Sequence, residues 1–310
     1  MRYLVTGGAG FIGSHVVEEL VRKGQYITVI DNLATGKKER LMPFMDQIRF
    51  VQGDVRDDDL LNREMKGIDY VIHLAALISV VESVEQPELY HDVNVNGTRK
   101  LLDAAKRYGV KRFIVPSSCA VYGDLKKLPF KENTIPKPAS PYGQNKLEIE
   151  KLCKEYDDKL GLRTFTLRFF NVFGPRQEPK SAYAGVISIF IQKIIDNESP
   201  KIFGDGKQTR DFIYVKDVVN ALLKACKAEK GFGEVYNIGS EREISVNEIF
   251  KIISKILKKN IKPVYAPARK GEVKRALSDC SKAKKAMGFS LKFDFEKGLK
   301  ETINWMKNQK

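Results

Sequence analysis

The chain has 310 residues, of which 43% are hydrophobic and 30% are charged, as in an ordinary soluble globular protein of one large or two modest domains. Its four cysteines form no CxxC pair and its three histidines share no metal-ligand spacing with them, which favours reduced thiols and argues against a metal site. No signal peptide follows Met1, and the longest apolar stretch, residues 70–81, is too short to span a bilayer. We therefore expect a cytoplasmic protein without a membrane partner.

The net charge of +15 is unevenly distributed, since residues 251–310 hold 17 Lys and Arg against 5 Asp and Glu. Such an excess is typical of proteins that neutralise nucleic-acid phosphates. Here the lysines alternate with apolar residues of amphipathic helices, as in residues 249–257, and no nucleic-acid-binding motif accompanies them. We therefore predict a solvated helix face that attracts an anionic small substrate, and no nucleic-acid partner.

The first thirty residues form a predicted β-α-β unit. A strand over residues 2–6 runs into the sequence GGAGFIG, and a helix over 14–23 and a strand over 26–30 follow. In such a unit Gly7 allows a tight turn, Gly10 lets the backbone approach a pyrophosphate at the helix N-terminus, and Gly13 lets the helix pack closely on the strand. Asp31, after the second strand, would accept hydrogen bonds from a ribose and repel a 2′-phosphate, which favours NAD over NADP. The alternative is a glycine-rich turn in an unrelated α/β protein.

Strands and helices continue to alternate. Strands are predicted over residues 48–51, 70–73, 112–116 and 163–167, and helices over 57–65, 87–108 and 140–160. This spacing predicts an α/β fold with a doubly wound, Rossmann-like parallel sheet covered on both faces. Asp54, Ala75, Ser118 and Asn171 each follow a strand, which predicts that they lie along one rim, where ligands bind.

After Arg168 the alternation loosens. Residues 169–176 have the character of a loop, and helices are predicted over 185–196, 215–228, 246–258 and 293–308. We predict an NAD-binding domain at 1–171, joined by segments of 211–239, and a smaller C-terminal substrate-binding lobe at 172–310.

The stretch SPYGQNK, residues 140–146, holds a candidate catalytic pair. Ser140 is a plausible N-cap and Pro141 a plausible first helical residue, so Tyr142 and Lys146 lie four residues apart on one helix face. A neighbouring ammonium favours the phenolate, which makes Tyr142 a candidate base for a sugar or alcohol hydroxyl. Taken alone, a tyrosine and a lysine four residues apart on a helix are more commonly an aromatic ring at the edge of the core and a solvated charge, without a catalytic role.

Together these stretches resemble the extended short-chain dehydrogenase/reductase family and, within it, the UDP-hexose 4-epimerases. The resemblance covers nearly the whole chain. It rests on GGAGFIG at 7–13, HLAA at 73–76, NVNGT at 94–98, SSCAVYG at 117–123, SPYG at 140–143, FFNVFG at 169–174 and RDF at 210–212.

The resemblance implies that Ser118, Tyr142 and Lys146 form the catalytic trio. Tyr142 would take the proton of the sugar C4 hydroxyl while C4 gives a hydride to NAD, Lys146 would hold the nicotinamide ribose, and Ser118 would hydrogen-bond the same sugar oxygen. The resulting 4-keto sugar would turn over and regain the hydride on its opposite face, so NAD would remain tightly bound. The resemblance also implies a homodimer formed through the helices at 87–108 and 140–160.

Binding residues follow from the same resemblance. The expected cofactor contacts are Gly7, Gly10, Phe11, Ile12, Gly13, Asp31, Asn32, Asp54, Val55, Leu74, Ala75, Ala76, Asn94, Tyr142, Lys146 and Phe170. The UDP-sugar would be bound by Ser118, Asn171, Arg210, Arg269, Glu272 and Ala276. Among these, Arg269 would meet the diphosphate and Glu272 the uridine ribose.

Ala276 occupies a position where many epimerases restricted to glucose and galactose carry a bulky aromatic residue. A small residue there is associated with room for an N-acetyl group, and residues 176–177 and 181–184 also resemble members that act on acetylated sugars. We therefore predict activity on UDP-N-acetylglucosamine (UDP-GlcNAc) and UDP-N-acetylgalactosamine (UDP-GalNAc), with UDP-glucose (UDP-Glc) and UDP-galactose (UDP-Gal) as further substrates. The alternative is that Ala276 only packs against its neighbours and that other residues determine which sugar is accepted.

Related functions stay open as alternatives. These are an epimerase restricted to UDP-Glc and UDP-Gal, another NAD-dependent nucleotide-sugar oxidoreductase, and a catalytically silent nucleotide-binding protein. A dehydratase is disfavoured, because such members need an acid and a further base after the catalytic serine, whereas Cys119, Ala120 and Val121 stand here. Cys119 has no histidine beside it in the motif, so we interpret it as a small packing residue and not a nucleophile.

Overall fold

A computed structural model describes residues 1–179, 184–268 and 273–309. The strands are β1 (Arg2–Thr6), β2 (Tyr26–Asp31), β3 (Arg49–Gln52), β4 (Tyr70–His73), β5 (Arg112–Ser118), β6 (Thr164–Phe169), β7 (Asn171–Phe173), β8 (Lys201–Phe203), β9 (Thr209–Tyr214), β10 (Glu234–Ile238), β11 (Glu243–Ser245) and β12 (Val264–Ala266). The α-helices are α1 (Phe11–Arg22), α2 (Asp58–Glu64), α3 (Val80–Glu85), α4 (Pro87–His91), α5 (Gly97–Arg107), α6 (Pro141–Leu160), α7 (Val186–Ile195), α8 (Val215–Lys227), α9 (Val246–Leu257), α10 (Ser281–Met287) and α11 (Phe295–Lys307).

Seven strands form the central sheet in the order β10-β6-β5-β4-β1-β2-β3. Every neighbouring pair is parallel, which confirms the predicted doubly wound Rossmann-like fold. The chain moves outward from β1 first through β2 and β3 and then through β4, so the order reverses between β1 and β4. A crevice opens at such a reversal, beyond the carboxyl ends of the strands.

Alternate residues of the buried strands face two separate helical layers. In β1, Tyr3 and Val5 pack with α1 and α8, whereas Leu4 packs with α2, α5 and α6. This is the period of two expected for a strand, applied to a sheet that is apolar on both faces. The layers hold the carboxyl ends of the strands, and the residues that follow them, in a fixed array.

A further apolar cluster lies apart from the two layers on the central sheet and is built largely from α7, α9, α11, β7 and β9. A three-stranded sheet in the order β11-β9-β7 contributes to it. The chain returns to the large sheet through α8, which packs against α1, and through β10, which pairs with β6. We therefore propose the division expected from the sequence, with residues 1–171 and part of 211–239 in one domain and 172–310 in the other.

Several elements differ from the sequence-based expectation. Residues 169–176, expected as a loop, contain β7, whose three residues pair with β9 far along the chain. The helix expected over 87–108 begins as α4, widens into a π-helical turn at Asp92–Asn96 and continues as α5. Short pairings and helix widening depend on tertiary contacts, so a local pattern does not reveal them. No helix in the described ranges combines the length and apolar character needed to cross a membrane.

Candidate active site

The glycine-rich loop leaves no space for side chains. Gly7 has a φ of +68°, and a Cβ there would lie 2.6 Å from the Ala75 nitrogen. A Cβ at Gly13 would lie 2.1 Å from the Gly7 carbonyl oxygen, so α1 rests directly on the loop. The Gly10 amide donates to the Gly7 oxygen at 3.1 Å, and α1 begins at Phe11. The loop therefore presents the positive N-terminus of α1 to the crevice, as a pyrophosphate requires.

The end of β2 places a buried carboxylate beside this loop. Asp31 accepts hydrogen bonds from the amides of Ala9, at 2.9 Å, and Leu33, at 2.8 Å. Farther along the rim Asn32 donates to Asp54 at 3.1 Å. Asp54 also accepts from Arg56 at 2.9 Å, and chiefly through this hydrogen bond its pKa falls to about 2. The carboxylates at this end of the crevice are thus held in fixed orientations.

Asn94 stabilises the wall of the crevice from within the π-helical turn. Its side chain accepts from the Leu77 amide at 2.8 Å and donates to the Leu77 carbonyl at 2.9 Å. His73 shares hydrogen bonds with Thr6, at 2.7 Å, and Thr98, at 2.9 Å. Burial lowers the pKa of His73 to about 3, so the ring is neutral. These two residues hold the segment after β4 in place.

A cavity of about 910 Å³ runs from the glycine-rich loop to Ala276. The expected site residues that it brings together are Gly7, Gly10, Phe11, Ile12, Gly13, Leu74, Ala76, Ser118, Tyr142, Lys146, Phe170, Asn171, Arg210 and Ala276. Other expected cofactor contacts, namely Asp31, Asn32, Asp54, Val55, Ala75 and Asn94, do not belong to its described lining. Arg269, Glu272 and residues 181–183 lie outside the described residues.

Phe130 lines the cavity although the sequence did not identify it as a site residue, and Gln177, from the stretch expected to matter for acetylated sugars, lines it too. Phe130 reaches the wall because its segment pairs with Ser278, far along the chain, and no local pattern signals that contact. Phe130 belongs to one apolar cluster with Tyr122, Phe170 and Ala276. Three members of this cluster, Phe130, Phe170 and Ala276, line the cavity, so the predicted sugar-selecting residue lies in an apolar part of the wall.

The helix α6 begins as the sequence predicts. Ser140 is its N-cap and accepts from the Gly143 amide at 3.2 Å, with Pro141 at the first helical position. Lys146 lies on the same face as Tyr142, with its Nζ 5.9 Å from the centre of the Tyr142 ring. Lys146 donates to the Pro116 carbonyl at 3.0 Å, and Ser118 ends β5 alongside. The three expected catalytic side chains therefore line one cavity.

The protonation of this pair differs from the sequence-based expectation that Lys146 favours the phenolate. Burial raises the pKa of Tyr142 to about 12, and its hydrogen bond with Ser118 opposes this only in part. Burial also lowers the pKa of Lys146 to about 8. Desolvation is the largest cause of both shifts, because both groups lie in a poorly solvated cavity wall. The protein groups alone thus leave Tyr142 protonated.

Cys119 lines the same cavity, where burial raises the pKa of its thiol to about 11. A neutral thiol is a poor nucleophile, in agreement with its interpretation as a packing residue. Within residues 1–179, 184–268 and 273–309, no three His, Cys, Asp or Glu side chains gather in a way that could hold a metal ion.

The cavity is lined by few charges. Its described lining contains no carboxylate, and Lys146 and Arg210 are its charged members. The buried Asn171 Oδ1 and Gln177 Oε1 have no hydrogen-bond partner in the described part of the chain. Buried polar atoms are normally paired, so these two acceptors fit a ligand that supplies donors. The glycine-rich loop suits a dinucleotide, and the two amides in the same cavity suit a polar second ligand.

Comparisons with known proteins cover the whole chain. Residues 3–239 match the model of the NAD dependent epimerase/dehydratase family. A protein of Methanocaldococcus jannaschii named "Putative UDP-glucose 4-epimerase" is 44% identical over 307 residues, which are 98% of each chain.

Two solved structures have nearly the same fold. The UDP-glucose 4-epimerase of Thermotoga maritima, solved with UDP-glucose, superposes with a TM-score of 0.95 at 41% identity, covering 100% of this chain and 99% of that one. The UDP-N-acetylglucosamine 4-epimerase of Methanobrevibacter ruminantium, in complex with UDP-N-acetylmuramic acid, has a TM-score of 0.96 at 40% identity and the same coverage. The two differ in the sugar that each is named for.

Proposed function

This chain belongs to the NAD-dependent epimerase/dehydratase family, and from that premise we propose that it is a UDP-sugar 4-epimerase whose preferred substrates are UDP-GlcNAc and UDP-GalNAc. The observation that carries the proposal is the cavity that joins the glycine-rich loop to Ser118, Tyr142 and Lys146. Its described lining lacks the carboxylates that a dehydration would require. An epimerisation needs only one base and one hydride acceptor, which fits this set of side chains.

In the proposed reaction Tyr142 acts as the phenolate, which the Lys146 ammonium and the positive charge of bound NAD would favour, although the protein groups alone leave the phenol protonated. The phenolate takes the proton of the C4 hydroxyl, and Ser118 donates a hydrogen bond to the same oxygen. When bound against the glycine-rich loop, NAD would supply the acceptor for the C4 hydride and the donor for its return. Tyr142 gives the proton back after the 4-keto sugar has turned over, so the product differs from the substrate only at C4. The ammonium of Lys146 favours the phenolate of Tyr142 during the step, and the cavity wall excludes water.

Three groups would hold the two ligands. The N-terminus of α1 and the close approach allowed by Gly7 and Gly10 suit the cofactor pyrophosphate. Arg210 would meet the UDP diphosphate, since its planar guanidinium matches phosphate oxygens, and Asn171 would accept a hydrogen bond from the nucleotide sugar. We also propose, on the resemblance alone, that Arg269 and Glu272 contact the nucleotide and that α4 to α6 form a homodimer interface, which sedimentation of the purified protein tests.

The proposed preference for acetylated sugars has two supports. Ala276 is buried in the cavity wall, where its small side chain leaves the volume free. The unpaired Gln177 Oε1 is an acceptor suited to the amide N–H of an N-acetyl group. The second candidate, an epimerase for UDP-Glc and UDP-Gal, is favoured by the similarity to the T. maritima enzyme.

Product analysis tests the function directly. The protein is incubated without added cofactor, separately with UDP-GlcNAc, UDP-GalNAc, UDP-Glc and UDP-Gal, and the sugars are separated by chromatography. We expect each acetylated sugar to yield the same mixture of the two C4 isomers from either direction, because no net oxidation occurs. Release of an oxidised, reduced or dehydrated product, or no conversion after NAD is added, would contradict the proposal.

Replacing Ala276 with tyrosine tests the choice of sugar. The ring would fill the space beside Phe130, so we expect the ratio of kcat/KM for UDP-GlcNAc to that for UDP-Glc to fall by at least about tenfold, or roughly 1.4 kcal/mol of discrimination. Ala276→Ser is the matched control, since it changes the volume little. An equal loss on both sugars would exclude Ala276 as the selecting residue.

A further inference from the structure

A buried ion pair lies behind the catalytic helix. Glu150 of α6 accepts from Arg168 of β6 in a bidentate arrangement, with Nε at 2.7 Å and Nη2 at 2.6 Å. The Ser117 hydroxyl is a third donor, at 2.5 Å from Oε1. Both charged side chains are almost inaccessible, with exposed fractions of 5% for Glu150 and 3% for Arg168. The proposed reaction uses neither of them.

A buried ion pair contributes little net free energy to the stability of a fold. Desolvating two charges offsets most of their attraction, and a well-packed apolar pair is often as stable. The pair also has a specific setting, because Ser117 directly precedes the catalytic Ser118, and Arg168 donates to the Tyr122 hydroxyl at 2.8 Å. The pair joins the catalytic helix α6 to β6 and, through Ser117, to β5, the strand that ends at Ser118, which indicates a role in the site.

Glu150 follows Lys146 by four residues and so lies on the same face of α6, one turn away. Lys146 is itself buried, and burial lowers the pKa of its ammonium to about 8. A positive charge at this depth needs a compensating negative charge, since the Pro116 carbonyl that it contacts is neutral.

The neighbouring titratable groups leave one source of that charge. Tyr142 and Cys153 on α6 are held neutral by burial, which raises the pKa of each to about 12. His73 on β4 is neutral because burial lowers its pKa to about 3. Of the charged groups, Arg168 on β6 repels an ammonium, whereas Glu150 attracts it. Among these neighbours the Glu150 carboxylate, one helical turn from Lys146, is the negative charge that raises the pKa of the ammonium against the effect of burial.

We propose that Glu150, held in one orientation by Arg168 and Ser117, is a positioning residue that keeps the Lys146 ammonium charged and in place during turnover. Arg168 fixes the carboxylate through its two parallel hydrogen bonds, so the negative charge stays at one place, one helical turn from Lys146. This inference rests on the proposed function, because Lys146 acts in that reaction.

The test is the pH dependence of kcat/KM for the UDP-sugar that the unaltered protein converts best. Activity falls on the alkaline side when Lys146 loses its proton. Glu150→Gln keeps an acceptor for Arg168 and Ser117 but removes the charge, which disfavours the ammonium. We expect this alkaline limb to move to lower pH by about 1 unit. kcat should fall at pH 8, whereas KM should change little.

A matched control separates this effect from lost stability. Glu64 of α2 is also buried and is also bidentate with an arginine, Arg49, at 2.8 and 2.9 Å, but it lies away from the cavity. Glu64→Gln should lower the melting temperature and leave the alkaline limb unmoved. Glu150→Gln leaves the buried Arg168 guanidinium without a negative counter-charge. The double variant Glu150→Gln/Arg168→Met is therefore the second test, because it removes both charges and retains a buried apolar side chain.

The outcomes are distinct. A downward shift of the limb in either folded Glu150 variant, absent in Glu64→Gln, supports the inference. An unmoved limb in the folded variants, or an equal shift in Glu64→Gln, overturns it. Absence of UDP-sugar conversion by the unaltered protein overturns the proposed function instead.

Discussion

Tyr142→Phe should lower kcat for C4 epimerisation by about 10²- to 10⁴-fold, the range of effect that a positioned general base has on a reaction. The Tyr142 hydroxyl is the proposed base, since it lies on the same helix face as Lys146 and shares a hydrogen bond with Ser118. Phenylalanine keeps the ring and its packing, so the loss isolates the hydroxyl. The measurement is steady-state turnover of the best UDP-sugar, with NAD content determined on the same sample.

Tyr156→Phe is the control on the same helix. Its hydroxyl donates to Asp103 at 2.6 Å, away from the cavity, so the variant loses one hydrogen bond, worth about 1 kcal/mol of stability. We expect its kcat to stay within a factor of about two of the unaltered value, as for substitutions that do not touch the reacting atoms. Equal turnover by Tyr142→Phe and the unaltered protein would exclude Tyr142 as the base.

Gly13→Ala should remove retained NAD. The added methyl would overlap the Gly7 carbonyl oxygen at 2.1 Å and the Gly8 Cα at 2.8 Å, and both are backbone atoms that cannot rotate away. Either α1 or the glycine-rich loop must therefore shift, and overpacking of this kind costs about 1–3 kcal/mol. If that cost falls on the bound state, NAD affinity declines by roughly 5- to 150-fold, since 1.4 kcal/mol is a factor of ten.

The control is Gly24→Ala at the other end of α1. No atom lies within 4 Å of a Cβ at Gly24, although its φ of +63° makes alanine strained there. This variant should lower the melting temperature and keep its NAD, whereas Gly13→Ala should lose NAD even at temperatures where it is folded. Cofactor released from denatured samples and thermal melts measure the two effects. Full NAD content in Gly13→Ala would show that the loop tolerates the shift.

Much of the fold was predictable because it is encoded locally. The order strand, glycine-rich loop, helix and strand specifies the cofactor-binding unit within 31 residues, and β1 and β4 have the expected bounds. The cap at Ser140 and the spacing of Tyr142 and Lys146 likewise depend only on helix geometry. Short strands such as β7 were missed, since three residues carry no periodicity of their own.

Within the site, contacts between distant segments could not be predicted. The side chain of Asn94, an expected cofactor contact, is bonded to the backbone of Leu77, which the sequence did not indicate. Phe130 reaches the cavity wall through pairing with Ser278. Neither contact can be predicted from the sequence, because no local pattern in either segment indicates which distant segment it will contact.

The sequence by itself determined the family resemblance, the Rossmann-like sheet and the residues of the proposed catalytic trio, because each depends on local spacing. Only the tertiary structure decided the protonation of Tyr142 and Lys146. Burial, a property of the whole fold, raises the pKa of Tyr142 and lowers that of Lys146, although helix spacing alone suggested that the pair would favour the phenolate. The fold also brings Arg168, 18 residues from Glu150, against the Glu150 carboxylate, one helical turn from Lys146.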